Sequence, residues 1–493
     1  MALSPTPVEP DPPETWKIAM ELTQILALLA TATVLAGFVC AIIAIWRART
    51  SEGAIAWAIS LIAMPYLALP LFLIFGRRRF QGYVARRRSS DLIAHQAPME
   101  RQVFPDQTEL SQRQLGEIKV IESLADMPFT LGNDARLLID GPAIFEAIFR
   151  AIDEAESYVL VQFYIIRDDD TGRQLAQKLA AAAARGLHCH LLYDEIGSHK
   201  TSDAFFEKLR RQGVQVSRFG SSTGIFNRFQ LNFRNHRKIV VADGRVAFIG
   251  GANVGDEYMG LSEKFGHWRD TQVELRGPIV QAAQLSFEKD WFWATKQHLS
   301  LNWQALDAPE GDQAALVMAS GPADPVETCS LFFVQAINSA VERIWIVSPY
   351  FVPDSDVLTA LHLAALRGVD VRIMIPDRPD NWVVWLAAFS FFEDAVGDGV
   401  RFYRYTEGFL HQKVALLDGT AAAVGSANFD NRSFRLNFEI TAVVIDPAFA
   451  KEVEEMLLRD FANCREYSVG EYESSSLFFK LAVRLARLAS PIL

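Results

Sequence analysis

Cysteine is scarce. Four occur in 493 residues, at positions 40, 189, 329 and 464, and their scatter gives no disulfide framework and suits a reduced interior. Positive charge is also in deficit, with 48 Lys and Arg against 59 Asp and Glu and a formal net charge of -11. No long basic stripe with interleaved aromatics breaks that balance, which argues against a nucleic-acid enzyme. A GxxxxGK[ST] phosphate loop is missing, so no nucleotide energy source is indicated. HxxxH and CxxC clusters are missing too, leaving no metal site and no cofactor to expect. The best rival for a metal, His188 with His190 around Cys189, alternates within an apolar run and reads as one face of a strand.

Uncharged length is plentiful near the start. Residues 22–46 and 54–75 are charge-free runs, each able to span roughly 30 Å of hydrocarbon as a helix. Pro65 and Pro70 are expected to kink the second without breaking it. A cleaved signal peptide is disfavoured, because the preceding tail carries Glu9, Asp11, Glu14 and Glu21 rather than a basic segment. After the second run come Arg77, Arg78, Arg79, Arg86, Arg87 and Arg88, against two arginines in the link between the runs. The positive-inside bias therefore predicts a hairpin with both ends cytoplasmic. The same six arginines suit anionic headgroups, at about 1 kcal/mol each near a charged surface.

The most informative feature is a pattern that occurs twice. His236-Arg-Lys238, Asp243 and Gly250-Gly-Ala-Asn253 recur at one constant offset as His411-Gln-Lys413, Asp418 and Gly425-Ser426-Ala-Asn428. Each copy enters a short apolar run closed by Asp-Gly, the mark of a buried strand ending in a turn. Residues two apart on a strand share a face, so each copy presents one imidazole beside one ammonium. Two copies face to face would supply two imidazoles, two ammoniums and two amides, a set suited to a phosphodiester. The lysines and amides would neutralise and orient nonbridging oxygens. One imidazole would attack phosphorus while the other protonates the leaving alkoxide. For Asp243 and Asp418 a turn role before glycine is as good a reading as chemistry.

Duplication extends further: Tyr158–Tyr164 pairs with Ile344–Tyr350, and Arg-Gly at 185–186 with Arg-Gly at 367–368, each before a strand-like run. Strand-like and helical stretches alternate, predicting an α/β fold with a mixed sheet in each lobe. Asp194 and Asp377, ending strand-like runs, read as structural. The expected organisation is a tail over 1–21, membrane helices over 22–46 and 54–75, a basic linker over 76–120, and lobes over 121–306 and 307–493, joined near 305–324. The last segment, 477–488, shows helical amphipathicity with Lys480, Arg484 and Arg487 on its polar side. It suits either the membrane interface or docking on the second lobe.

On the paired HxK(x)4D signature the chain resembles the phospholipase D superfamily, over nearly everything from Leu131 onward. The strings around Asn232–Gly244, Gly255–Gly260, His267–Asp270 and Gly408–His411 are similar to bacterial cardiolipin synthases. The resemblance implies two lobes related by a pseudo-twofold, a phosphohistidine on His236, and His411 as general acid then base, although the residues themselves permit either order. Lys238, Asp243, Lys413 and Asp418 of the signature are the remaining catalytic candidates, although in relatives its aspartate is more a structural residue than a reacting one, and Asn253, Asn428 and Ser426 are expected to contact the substrate phosphate. Asp270 and Glu439 would orient the opposite histidines. The implied reaction joins two phosphatidylglycerols into cardiolipin, with anionic phospholipids and the bacterial inner membrane as partners and no nucleic acid. The aspartate-rich signature of CDP-alcohol transferases, the metal-dependent route to the same lipid, is absent. A hydrolytic phospholipase D and a tethered nuclease are the competing readings, and oligomeric state is left open.

Overall fold

The duplication in the sequence returns as a mirrored order of strands. The computed structural model describes residues 14–47, 50–76, 112–220, 232–306, 308, 311–397, 399–468 and 470–493. The six arginines at 77–79 and 86–88 lie outside the described residues. The chain divides into a small unit, 1–79 with 226–232, and a large unit of 80–225 with 233–493.

The small unit holds α1 (Glu14–Arg47), α2 (Ser51–Ala63) and α3 (Pro65–Phe75). Within α1, Ile18–Trp46 is, among the described residues, the one helix long and apolar enough to cross a membrane. The second expected span is instead broken in two. Pro65 has no N–H to continue the ladder, and its ring pushes the preceding residue out of helical geometry. Met64 accordingly sits at φ -137°, ψ 58°, its N–H closing α2 on the Ser60 carbonyl, and Pro65 opens α3. Pro70 stays inside α3. The resulting helices of 13 and 11 residues are each short of the roughly 20 that a single crossing needs. Small residues on α1 let the backbones meet: a side chain at Gly37 would lie 2.6 Å from the Leu61 carbonyl oxygen, and Ala41 and Ala44 are buried with Leu61, Ala68 and Phe72.

The large unit begins with α4 (Gln112–Ala125). Then come β1 (Thr130–Ile139), α5 (Asp140–Glu154), β2 (Tyr158–Phe163), α6 (Asp170–Ala184), β3 (His188–Asp194), α7 (Asp203–Arg211) and β4 (Gln215–Phe219). The first lobe ends through β5 (Arg234–Asn235), β6 (Ile239–Ala242), β7 (Val246–Gly250), β8 (Trp268–Arg269), β9 (Thr271–Arg276) and α8 (Ile279–Thr295). The second lobe repeats the plan with β10 (Gln313–Ser320), α9 (Thr328–Ser339), β11 (Arg343–Val347), β12 (Phe351–Val352), α10 (Ser355–Leu366), β13 (Asp370–Pro376), α11 (Trp382–Val396) and β14 (Arg401–Tyr405). It closes with β15 (Phe409–Leu410), β16 (Val414–Leu417), β17 (Ala421–Gly425), β18 (Phe429–Asp430), α12 (Asn431–Arg435), β19 (Asn437–Ile445), α13 (Pro447–Ala462), β20 (Cys464–Glu466) and α14 (Leu477–Arg487).

The lobes do not keep separate sheets. One 16-stranded sheet runs β20-β14-β13-β11-β16-β17-β19-β10-β1-β9-β7-β6-β2-β3-β4, with β5 attached to β19. Reading outward from the β10–β1 junction, the order is the same in both directions as far as β14 and β4, as a pseudo-twofold between lobes requires, and β20 adds an antiparallel edge to the second lobe alone. In each half the outer strands are parallel (β2–β3–β4; β11–β13–β14), as αβ crossovers impose. The inner strands are antiparallel, and β1 meets β10 with Thr130 opposite Ala315.

One apolar core crosses the junction: Leu160, Val241 and Phe287 share it with Leu416, Val444 and Met456. Helices α8 and α13 contribute to this shared layer, while α5–α7 and α9–α11 cover the opposite face of their own lobes. The expected boundary at 120/121 falls inside α4, whose Ile118, Ile121 and Leu124 pack against the second lobe's core. That helix therefore belongs to the second lobe in space although it precedes the first in sequence.

Candidate active site

Each histidine sits just before a central strand, and its backbone is held by the other lobe. The His236 N–H donates to the Phe438 carbonyl at 2.9 Å, and the His411 N–H donates to the Arg269 carbonyl at 2.8 Å. The side chains cross in the same way. Glu439, on β19 of the second lobe, stands 3.0 Å from His236 Nδ1, and Asp270, between β8 and β9 of the first, stands 2.7 Å from His411 Nδ1. Both carboxylates are fully buried. A carboxylate on Nδ1 keeps the proton there and leaves Nε2 with its lone pair.

The two carboxylates are held differently. Glu439 accepts from the hydroxyls of Ser426 at 2.5 Å and Ser433 at 2.8 Å, and from Asn437 Nδ2 at 3.1 Å. Asp270 accepts from the Thr271 N–H at 2.9 Å and the Trp268 ring N–H at 3.4 Å. This difference explains one departure between the two copies of the motif, Gly251 against Ser426. The shorter Asp270 lies so close to β7 that a Cβ at Gly251 would be 2.1 Å from its Oδ1, so only glycine fits. The longer Glu439 leaves room at the equivalent point for the Ser426 hydroxyl. Ser426 is therefore corrected from a phosphate contact: its hydroxyl is occupied by Glu439 and by the Ile440 N–H at 2.9 Å.

The lysines are buried on the same faces as their histidines but point differently. Lys238 Nζ donates to the His236 carbonyl at 2.6 Å and lies 5.7 Å from the Tyr164 ring centre. Lys413 Nζ sits on the His411 imidazole, 3.0 Å from Nε2, and also donates to the His411 carbonyl. Tyr164 is edge-on to His236 at 5.0 Å and Tyr258 to His411 at 6.1 Å. Asn253 is engaged on both ends of its amide, accepting from the Ile165 N–H and donating to the Tyr258 hydroxyl. Asn428, also buried, has no hydrogen-bond partner at Oδ1.

Asp243 and Asp418 are corrected from catalytic candidates to turn residues. Both take left-handed backbone, φ 54° and 51°, at the end of β6 or β16 away from the lysine. The Asp243 carboxylate accepts from the backbone N–H groups of Glu156, Ser157 and Tyr158, and Asp418 from those of Val341, Glu342 and Arg343. Each ties its hairpin to the start of the neighbouring antiparallel strand, β2 or β11, and is saturated in doing so. Asp194, read as structural, accepts the Asn235 N–H at 2.8 Å and so anchors the backbone just before His236. His190 is buried edge-on to Trp291 at 4.9 Å while His188 is exposed, so this pair shares no site.

Behind the histidines stand groups that no motif announced. Arg237 makes two 2.9 Å bonds to Asp290 on α8 and donates to the Glu439 and Ser320 carbonyls across the junction. Asp290 also takes 2.8 Å bonds from Gln162 and Asn235. In the second lobe Gln412 occupies the place of Arg237 and donates to Asp460 on α13, which Arg269 grips through two 2.8 Å bonds. An aspartate inside each core helix thus pins the residue between histidine and lysine. No sequence signal sets either acid apart: Asp290 follows Glu288 and Lys289 in α8, and Asp460 shares α13 with Glu452, Glu454 and Glu455, so each reads equally as part of a solvated face.

Burial sets the charge of the resting site. It lowers His236 to about 4, an effect that Glu439 opposes and Lys238 reinforces. It lowers His411 to about 3, with Lys413 adding to it and Asp270 opposing. Lys413 falls to about 8, burial outweighing Asp270 and Glu439. Burial pushes both carboxylates up, but facing lysines and histidines hold them below their ordinary values. Each imidazole feels the other lobe's lysine, so the two copies form one electrostatic unit. The histidines bind fewer protons folded than unfolded below 6.5, so their contribution to stability is full above that value and is lost as pH falls toward about 4. Ethoxyformylation of His236, which needs the neutral ring, is expected to keep its rate as pH drops through 6.5 and to halve near about 4. Peptide mass spectrometry would follow it, and halving at 6.5 would mean a solvated imidazole.

The family described as "Cardiolipin synthase, PLD-like domain" matches residues 148–291 and 333–461. The chain is 49% identical over 497 residues to cardiolipin synthase A of Pseudomonas aeruginosa, covering 100% of both. It is 49% identical to that of Pseudomonas fluorescens, over 93% of this chain and 96% of the relative. Among solved structures it is similar to phosphatidylserine synthase of Haemophilus influenzae, with a TM-score of 0.58 at 15% identity, covering 76% of this chain and 99% of the other. That last likeness concerns the fold.

Proposed function

Because this chain belongs to the cardiolipin synthase family with phospholipase D-like domains, we infer that it is a membrane phosphatidyltransferase that turns two phosphatidylglycerols into cardiolipin and glycerol. The observation that carries the reading is the exchange of carboxylates, Glu439 to His236 and Asp270 to His411, which gives two imidazoles with Nε2 directed to one reaction.

His236 Nε2 attacks phosphorus of the first lipid. The bond to the glycerol oxygen breaks as a P–N bond forms, and His411, protonated once the anionic phosphodiester has arrived, gives its proton to that oxygen. Glycerol leaves. His411 then takes the proton of the second lipid's glycerol hydroxyl, whose oxygen displaces His236 and completes the new phosphodiester. Lys238, Lys413 and the amides of Asn253 and Asn428 face the nonbridging oxygens, where charge gathers in each transition state. One phosphodiester replaces another, so the exchange needs no nucleotide.

The asymmetry of the lysines favours these roles over the reverse. Among the described residues no hydrogen bond joins Lys238 to the His236 ring, whereas Lys413 Nζ lies over the His411 ring, 2.8 Å from Nδ1 and 3.0 Å from Nε2, and would swing onto the entering phosphate, freeing His411 to pick up a proton. The anchor is α1. The excess of arginine at 77–88 over the two at Arg47 and Arg49 favours a reading in which α2 and α3 together make the return crossing, giving a multi-pass protein of the bacterial inner membrane with cytoplasmic lobes.

Purified protein in proteoliposomes, given phosphatidylglycerol labelled in its headgroup, is expected to release labelled glycerol and cardiolipin in equal amounts, with or without chelator. Phosphatidic acid as the main lipid product would replace transfer by hydrolysis. Digestion of an added oligonucleotide without lipid turnover would make the protein a nuclease.

A further inference from the structure

The C-terminal helix α14 has two apolar faces, and only one is used by the fold. At about 100° per residue, Phe479, Ala482, Val483 and Ala486 form the docked face. The Phe479 ring lies 6.1 Å from that of Trp385 and 5.2 Å from that of Phe389 on α11, and Val483 and Ala486 are buried. Lys480, Arg484 and Arg487 form a basic sector, of which Arg484 and Arg487 pair with Glu393 and Asp394 on α11. The remaining sector, about 100° wide, carries Leu477, Phe478, Leu481, Leu485 and Leu488, which are 83, 82, 56, 59 and 77% exposed. A helix that needed only to dock would not line its outer side with large apolar groups.

The helix on which α14 docks leads toward the reaction site. Trp385 is 5.5 Å from Trp382, which opens α11 and is 64% exposed beside the exposed Val383. Two residues earlier, Asp380 accepts from the Tyr350 hydroxyl at 2.5 Å, and its charge reaches Lys413. The basic sector borders the strip at the angle from which long side chains reach headgroup phosphates while their stems stay apolar.

We propose that the Leu477–Leu488 strip and Trp382 form a second membrane contact, lying in the bilayer interface and seating the mouth of the active site at headgroup depth. The occupant is lipid rather than protein, because the strip is apolar along its whole length and the sector adjoining it is basic, which matches hydrocarbon beside anionic headgroups. The inference rests on the proposed phospholipid substrate. With α14 at the interface, acyl chains stay in hydrocarbon while the headgroup is handed to His236.

The test uses the full chain in vesicles of phosphatidylethanolamine and phosphatidylglycerol. Leu481→Asp with Leu485→Asp is expected to lower turnover of vesicle lipid by ~10-fold or more, since each buried leucine contributes substantially to partition, while turnover of monomeric short-chain phosphatidylglycerol in detergent stays within about twofold. Equal rates on both substrates, or equal losses on both, would overturn the proposal. Independently, a bimane label at Leu485→Cys is expected to be quenched by spin-labelled lipid more than one at Val341→Cys. Val341 is exposed at the end of β11 remote from Tyr350. Equal quenching at the two positions would also overturn it. Were the transferase reading itself wrong, the parent protein would make no cardiolipin from either lipid, while the quenching would still report where α14 lies.

Discussion

Replacing His236 with alanine is expected to lower cardiolipin formation by ~10⁴-fold or more, because no group remains to carry the phosphatidyl between donor and acceptor. His411→Ala is expected to cost less, about 10²–10⁴-fold, the usual worth of a placed acid and base. The difference becomes qualitative with a substrate whose leaving group needs no proton. Given phosphatidyl-p-nitrophenol, His411→Ala should release one burst of nitrophenolate per site and then stall, since the acceptor hydroxyl has lost its base. His236→Ala should give no burst. The stalled protein should carry an acid-labile, base-stable phosphoryl group on the peptide containing His236. A burst from His236→Ala, with the label on His411, would exchange the two roles.

The second large effect concerns stability. Asp290→Ala is expected to destabilise the fold by about 3–5 kcal/mol, the cost of leaving a buried charge without its partner. Arg237 is 5% exposed and Asp290 not at all, so water cannot replace the lost carboxylate, and Gln162 and Asn235 lose an acceptor as well. The thermal midpoint in detergent, followed by tryptophan fluorescence, should drop clearly. Removing both charges in Arg237→Met with Asp290→Leu should recover much of that drop, because neither leaves an orphan. Activity should stay low, since Arg237 also holds the backbone carbonyl of Glu439. A midpoint unchanged in Asp290→Ala would mean that the pair is solvated.

The parts of this protein that were readable from sequence are those specified by short-range spacing. His236 and Lys238 share a face because they are two apart, and the constant offset to His411 and Lys413 announced two lobes. Asp270 and Glu439 were legible through resemblance alone, because nothing in a strand's own pattern says which imidazole across the sheet it will meet. The function of Asp290 and Asp460 was hidden for a related reason: one acid in a helical run is a solvated face until another element covers it. Asp243 looked like part of the chemistry because it keeps register with the histidine, yet register in a hairpin is equally demanded by the turn. The position of α4 was beyond reach, since a helix carries no mark of the sheet half it will cover. Pro65 was a matter of degree. A proline that bends a helix packed among others and one that ends it are the same letter, and Met64 decided the case by leaving helical geometry.

The crossed carboxylates make the lobes mutually dependent. Neither lobe holds the acid that faces its own imidazole: Glu439 serves His236 and Asp270 serves His411. Cutting the present chain at its midpoint would therefore yield two inert pieces rather than two smaller enzymes.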